Sequence, residues 1–500
     1  MRSRFPLLAL LLALALPARA DVLNIGIIAD PVQLDPARGG SYADRNVLAV
    51  ICDKLIDTDP DMHFVPQLAT SWEWSQDALS LTLRLREGVK FQDGSDFNAG
   101  AVRQNIERAK RLALGLRGTE LKPIASVEVI DPLTVRLHLS TPYAPLLSLL
   151  ADRSGMMVSP AAIAKYDRDI AAHLVCAGPY MLAERVAKER VVVDRFAGYW
   201  NAAAIGIDRI VFRPVPDGSL RLVKLKSGDL EIIDQLEGSD VPALEAEPHL
   251  RVVRHVAAGH RSLQFNLNAG PRAGTALGKD VRVRLALDKA IDRRALSGAV
   301  PEGLSVPNNQ AEVPGSPFWD PDHPVPGRDL EGAKALLREA GVEHPSFTLD
   351  FLDTPPDRRI AEAIRAMAGE AGFDIKLEPL EGRAANDKLF AGDFATALLS
   401  LPGQADPDGN LASMTCAGPF NFGGYCNPNM EELLKLGRET ADPDRRIAIY
   451  RKAAGLYLLD MPEIILGNTG WVWGVSERVE GFVPNRDGLI RPQGLRLRAQ

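Results

Sequence analysis

Apolar and polar positions along this 500-residue chain follow two rhythms. In the first half the clearest has period two. Leu79, Leu81, Leu83 and Leu85 are separated by Ser80, Thr82 and Arg84, which predicts a strand buried on one face. Val127 and Val129, an Asp131-Pro132 turn, then Val135, Leu137 and Leu139 predict a hairpin. Val22 to Ile28 predicts an opening strand, followed by a loop through Asp30-Pro31 and Leu34-Asp35-Pro36. Asn98 is placed to cap a helix from Ala99 to about Leu112. From Ser262 the rhythm changes. Leu263, Phe265 and Leu267 alternate with Gln264 and Asn266, and a helix with the stripe Val283, Leu287, Ala290 and Ile291 follows Asp280. Asp329 is placed to cap a further helix through Leu337, which Gly341 can end. Phe347, Leu349 and Phe351 predict a strand. A helix around Ile360, Ile364 and Met367 stops at Gly372, and Phe373, Ile375 and Leu377 predict the next strand. Strand–helix–strand alternation predicts an α/β unit with a largely parallel sheet.

The first twenty residues break this pattern. Arg2 and Arg4 precede the apolar run Leu7 to Leu16, Pro17 interrupts it, and Ala18-Arg19-Ala20 fits a small-x-small cleavage site. A run of about ten apolar residues is too short to span a bilayer. Residues 1–20 are therefore expected to be an export signal. No cysteine stands near the cleavage point to carry a lipid, so the mature chain is expected free in the periplasm. About 480 residues remain, enough for two or three domains. With 46% hydrophobic and 25% charged residues the composition is that of a globular protein, and a net charge of -7 argues against a nucleic-acid partner.

An exported chain with four cysteines, Cys52, Cys176, Cys416 and Cys426, invites disulfides. Cys416 and Cys426 bracket a short Gly/Asn/Pro-rich loop, and a bond between them is expected. The alternative, a metal site, finds no histidine within this loop and no CxxC in the chain. Cys52 and Cys176 would then form a second pair, although nothing local brings them together. The eight histidines form no HExxH or other zinc spacing, and neither a GxSxG elbow nor a phosphate loop is present. Asp406 and Asp408 are the best acid pair for hydrolysis, but Asp406-Pro407-Asp408-Gly409 is also an ordinary turn signature.

A series of segments resembles the family 5 extracytoplasmic solute-binding proteins of ABC transporters, the peptide, nickel-chelate and opine type. Leu34-Asp35-Pro36 is similar to the family's opening loop. Pro66-Gln67-Leu68-Ala69-Thr70-Ser71-Trp72-Glu73 and Leu85-Arg86-Glu87-Gly88-Val89-Lys90-Phe91-Gln92-Asp93-Gly94 resemble two of its segments, with Gln92 in place of the usual histidine. Gly178-Pro179-Tyr180, Tyr199-Trp200, Phe265-Asn266, Val281-Arg282-Val283-Arg284, Ala290-Ile291-Asp292-Arg293 and Gly481-Phe482-Val483-Pro484 continue the series in the family's order. The resemblance implies an α/β, two-lobed periplasmic binding protein fold of type II, with a ligand cleft between the lobes. Lobe I would span 21–262, with an extra subdomain over about 50–175; lobe II would span 263–474, and 475–500 would return to lobe I. It further implies no enzyme activity, no cofactor, a monomer, and a membrane permease as partner.

Cleft residues are expected in loops at strand ends. The loop after Pro36 offers Arg38, Gly39, Gly40, Ser41 and Tyr42. Arg153 lies where nickel-type relatives place an arginine against a ligand carboxylate, a task suited to its planar fork. In Pro402 to Asn410, Gln404 and Asp406 are candidates, although the amine-binding carboxylate of peptide-binding relatives has no clear counterpart. Asn421, Phe422 and Tyr425 either line the same wall or fold the disulfide loop. The expected ligand is a di- or oligopeptide, with an opine-like carboxylated metabolite or a metal chelate as alternatives. A secreted hydrolase, or a docking protein with an occluded cleft, is the competing class.

Overall fold

Where apolar and polar residues alternate, the chain forms strands. The computed structural model describes residues 21–112, 120–299, 305–401, 403–418 and 420–498; the expected export signal and Pro402 lie outside them. Ser80–Leu85 buries Leu81, Leu83 and Leu85, and pairs with Thr134–Leu139, itself in a hairpin with Ile124–Asp131. With Ala69–Trp74 these make a four-stranded antiparallel sheet. The helix Ala99–Leu112 packs on it, with Asn98 Oδ1 accepting from the Ala101 amide as the cap. Their shared core includes Phe91, Val102, Ile106 and Leu146.

A second, eleven-stranded sheet runs through the rest of the molecule. At one end Asp374–Leu380, Ser346–Leu352 and Thr396–Leu401 are parallel, covered by the helices Val281–Ala290 and Pro355–Gly369. Asp280 and Thr354 cap those helices, and Gly341, at φ 70°, ends Leu330–Ala340. At the other end Val22–Ile27 runs parallel to both Arg209–Pro214 and Ile232–Ile233. The centre is antiparallel, so the largely parallel sheet expected from the alternation is in fact mixed. Two long strands, Leu250–Phe265 and Glu463–Ser476, pair antiparallel and join the ends.

These strands explain a misread rhythm. Ser262 to Phe265 is the end of a sixteen-residue strand, and here polar positions are as buried as apolar ones: Ser262 and Gln264 are inside, as is Asn266 just after the strand. Leu263 and Ile464 belong to one lobe's core, while Trp473 and Val475 belong to the other's, with Ile25, Val47 and Phe212. The crossover between lobes thus falls inside paired strands. The ladder slips there: Val256 faces Gly470 and His260 faces Asn468, so Ala257, Ala258 and Gly259 bulge opposite Thr469. Gly403 lies against this bulge so closely that a Cβ would come within 2.0 Å of the Ala258 carbonyl carbon.

Both expected disulfides are present, Cys416–Cys426 across a sequence separation of 10 and Cys52–Cys176 across 124. Among the described residues no helix is long and apolar enough to cross a membrane.

Candidate functional site

Asp35 and Asp44 build the loop that opens the site. The Asp35 carbonyl accepts from the amides of Arg38 and Gly39. Asp44, buried in the first turn of the helix Tyr42–Ile51, accepts from the amides of Gln33, Gly40 and Ser41, while the Ser41 hydroxyl accepts from the Asp44 amide in a capping box. Gly39 has no room for a side chain, since a Cβ would lie 2.6 Å from the Gln33 carbonyl oxygen. The loop therefore presents Gly40 and Tyr42 in one fixed arrangement.

Both residues line a cavity of about 700 Å³. Arg153, Trp471 and Arg486 line it too, together with Ala257 and Gly259 of the crossover bulge and with Gly403 and Gln404, which follow the strand Thr396–Leu401 of the other lobe. Tyr42 stacks on Trp471 at 5.1 Å between ring centroids, and its hydroxyl donates to the Gly488 carbonyl at 2.7 Å. Burial, helped by Asp234, holds the Tyr42 hydroxyl well above its usual pKa. Arg45 donates to Asp152 at 3.3 Å; burial would lower its pKa, but Asp152 and Asp487 outweigh that and keep it charged. Asp487 is held below the usual carboxylate range because Arg491 and Arg45 offset its burial.

Of the candidate residues, Gly40, Tyr42, Arg153 and Gln404 come together at this cavity. Arg153 is not a solvated arginine: its side chain is 10% exposed. Nor is its fork open. Nη1 donates to the carbonyls of Gly39 and Gly40, and Nη2 lies 3.4 Å from Asp152, leaving Nε buried without a hydrogen-bond partner among the described residues.

The other candidates are placed elsewhere. Arg38 points away from the cavity and donates to the Arg168 carbonyl. Ser41 is occupied as a helix cap. Both oxygens of Asp406 are taken by Arg446, at 2.6 and 2.7 Å, in a pair only 2% and 8% exposed. Asp408 is bound in turn by Arg438; burial lifts its pKa and Arg438 opposes the rise. The two carboxylates of the best acid pair for hydrolysis, of which Asp406 was also a ligand-binding candidate, are thus held in two arginine pairs. Asn421 folds the disulfide loop through the Thr415 and Tyr425 carbonyls, and the Tyr425 hydroxyl donates to Asp460 within a buried cluster. The reading of this segment as a fold of the disulfide loop is the one these contacts describe.

Reasoning from the sequence missed Arg45, Asp152, Trp471, Arg486 and Asp487. The 471–487 segment reaches the cavity from hundreds of residues away, and no local pattern marks it.

Two buried carboxyls outside the cavity lining have raised pKa values. Asp234, 0% exposed, has no side-chain donor among the described residues, and burial pushes it up to about 7. Burial pushes Asp53 to about 7 as well, although Trp200, Tyr199 and Gln67 donate to it. A carboxyl whose pKa is higher folded than unfolded contributes stability that is full below about 4 and lost as pH rises towards 7. Asp234→Asn is therefore expected to flatten the pH dependence of stability between pH 4 and 7 by roughly 2–4 kcal/mol. Asp53 supplies a remaining slope of the same sign. Denaturation midpoints at pH 4, 5.5 and 7 check this; an unchanged slope in the variant would refute it.

The comparisons agree with this architecture. The model of the bacterial extracellular solute-binding proteins, family 5, matches residues 63–422. A glutathione-binding protein, GsiB of Pectobacterium atrosepticum, is 29% identical over 91% of this chain and 90% of its own. The structure of AgaA from A. tumefaciens with agropinic acid is 25% identical and superposes at a TM-score of 0.75 over 96% of this chain and 100% of the other. The substrate-binding protein CtaP of Listeria monocytogenes, at 21% identity, shares the fold at a TM-score of 0.86 over 96% of this chain and 99% of its own. With its two lobes, its cleft and a family match over most of its length, the chain belongs to the family 5 bacterial extracellular solute-binding proteins.

Proposed function

We propose that the protein captures a small carboxylated, peptide-like ligand in the cavity between its lobes and delivers it, unchanged, to the permease of an ABC importer. The observation that carries this is the cavity itself: about 700 Å³, lined from both lobes, with arginine N–H groups on its wall. Sites for small ligands run to about 300–1,000 Å³ with a few placed polar groups. The acids that line it all have partners: Asp152 has Arg45 and Arg153, Asp487 has Arg491, and Glu120 accepts from the Ser154 hydroxyl at 3.5 Å. The buried polar atoms left unpaired on its wall, among the described residues, are the arginine donors Arg153 Nε and Arg486 Nε and Nη1, which favours a carboxylate over an ammonium. This also gives weight to an opine-like acid as the second reading. Export through the leader at 1–20, and action as a monomer, belong to the same proposal.

Ligand at 100 times its dissociation constant is expected to add about 2.7 kcal/mol to stability, with a smaller radius of gyration in solution scattering. Thermal melts against glutathione, di- and tripeptides, agropinic acid and nickel–histidine check it. Recovery of the stabilising ligand in cleaved form would overturn the carrier reading.

A further inference from the structure

The large chamber does not end at its arginines. Met62, Gln404, Ala405 and Arg486 also border a second chamber of about 250 Å³. Phe64, Trp74 and Leu147 wall it on one side, and Val313, Phe318 and Ile447 on the other. Most polar groups that reach it are engaged. Arg446 is paired with Asp406, Glu312 accepts from Ser316 and Asn410, and His63 bonds Asp59. A polar guest would find few partners there, whereas an apolar one loses nothing by entering. A cavity of about 150 Å³ lined by apolar side chains is enough to take up benzene, so this chamber has room for a group of phenylalanine size.

Arg486 stands at the doorway. Its Nη2 is 3.0 Å from Asp61, while Nε and Nη1 are buried and have no hydrogen-bond partner among the described residues. Its backbone is fixed, the carbonyl accepting from Trp471 Nε1 at 2.9 Å and from the Ala258 amide at 3.3 Å. Buried N–H groups on a charged guanidinium are costly to leave unpaired, and a carboxylate between the chambers would pair them. Arg153, by contrast, spends Nη1 on the Gly39 and Gly40 carbonyls and Nη2 on Asp152, and acts as a positioning residue.

We propose that Arg486 receives a carboxylate of the ligand and that the second chamber takes the apolar group beside it. The favoured ligands are then peptides ending in a large apolar residue with a free carboxylate. The inference rests on the carrier reading above.

Titration calorimetry with Ala-Ala-Phe, Ala-Ala-Gly and the C-terminal amide of Ala-Ala-Phe tests it. The wild type is expected to bind Ala-Ala-Phe at least tenfold tighter than either of the others. Arg486→Gln should erase the preference for the acid over the amide while keeping that for Phe over Gly. Ala144→Trp, which fills the chamber, should erase the preference for Phe. Equal affinity of the wild type for all three peptides overturns the assignment of Arg486 and the chamber, and leaves the carrier reading standing. No binding of any of them overturns the assignment as well, while the carrier reading is decided separately by the thermal melts against glutathione, agropinic acid and nickel–histidine. The wild-type comparison decides without any variant having to fold.

Discussion

With Cys52 and Cys176 both replaced by alanine, the protein is expected to lose about 5 kcal/mol of stability on the chain-entropy account of crosslinks. The bond spans a sequence separation of 124, so it removes far more freedom from the unfolded chain than the Cys416–Cys426 bond, which spans 10. The same account gives about 3 kcal/mol for a loop of that shorter length. The longer crosslink also matters locally. Cys52 is the C-cap of the helix Tyr42–Ile51, whose first turns carry Tyr42 and Arg45 into the cleft. Both cysteines are buried, and alanine leaves no unsatisfied hydroxyl behind. Urea unfolding of the wild type and of each double variant, without reductant, measures both losses. A loss below 1 kcal/mol for the longer bond would show that the unfolded chain is already held compact without it.

Arg108→Ala carries the other large effect, about 3–5 kcal/mol, because it strands a buried carboxylate. Arg108 reaches from the helix Ala99–Leu112 to both oxygens of Asp35, at 3.0 and 2.8 Å, and the two side chains are 4% and 0% exposed. A third bond from the guanidinium goes to the Asp167 carbonyl. Asp35 in turn positions the Arg38 and Gly39 amides, so the variant should also loosen the loop that presents Gly40. Adding Asp35→Asn is expected to recover part of the lost stability, since it removes the orphaned charge. A single variant as stable as the wild type would mean that water reaches Asp35 and solvates it.

Much of the scaffold was readable because local chemistry decided it. Leu81, Leu83 and Leu85 bury as their alternation requires, and Asn98, Asp280 and Asp329 cap the helices that follow them. The long strands were not readable. Glu463–Ser476 is buried on both faces over most of its length, which removes the alternation that marks a strand. The site divides along the same line. Tyr42 and Gly40 follow from a loop with a capped helix behind it. Asp406 looked available because its partner, Arg446, lies 40 residues on, and pairing at that distance leaves no trace in the local sequence. Arg486 was passed over for a related reason: it takes on meaning only where Trp471, Ala258 and Asp61 converge around it.

The bulge in the crossing strands has a consequence for how such a protein can change its diet. Ala257 and Gly259 face the large chamber, and Ala258, between them, faces the small one. Three neighbouring codons therefore set the dimensions of both rooms, and none of the three side chains carries a charge or an ion pair. A methyl group gained at Gly259 narrows one room; a larger residue at Ala258 shortens the other. The arginines and their partners stay where they are. Preference for ligand size can thus drift, or be engineered, independently of the charge recognition that admits the ligand in the first place.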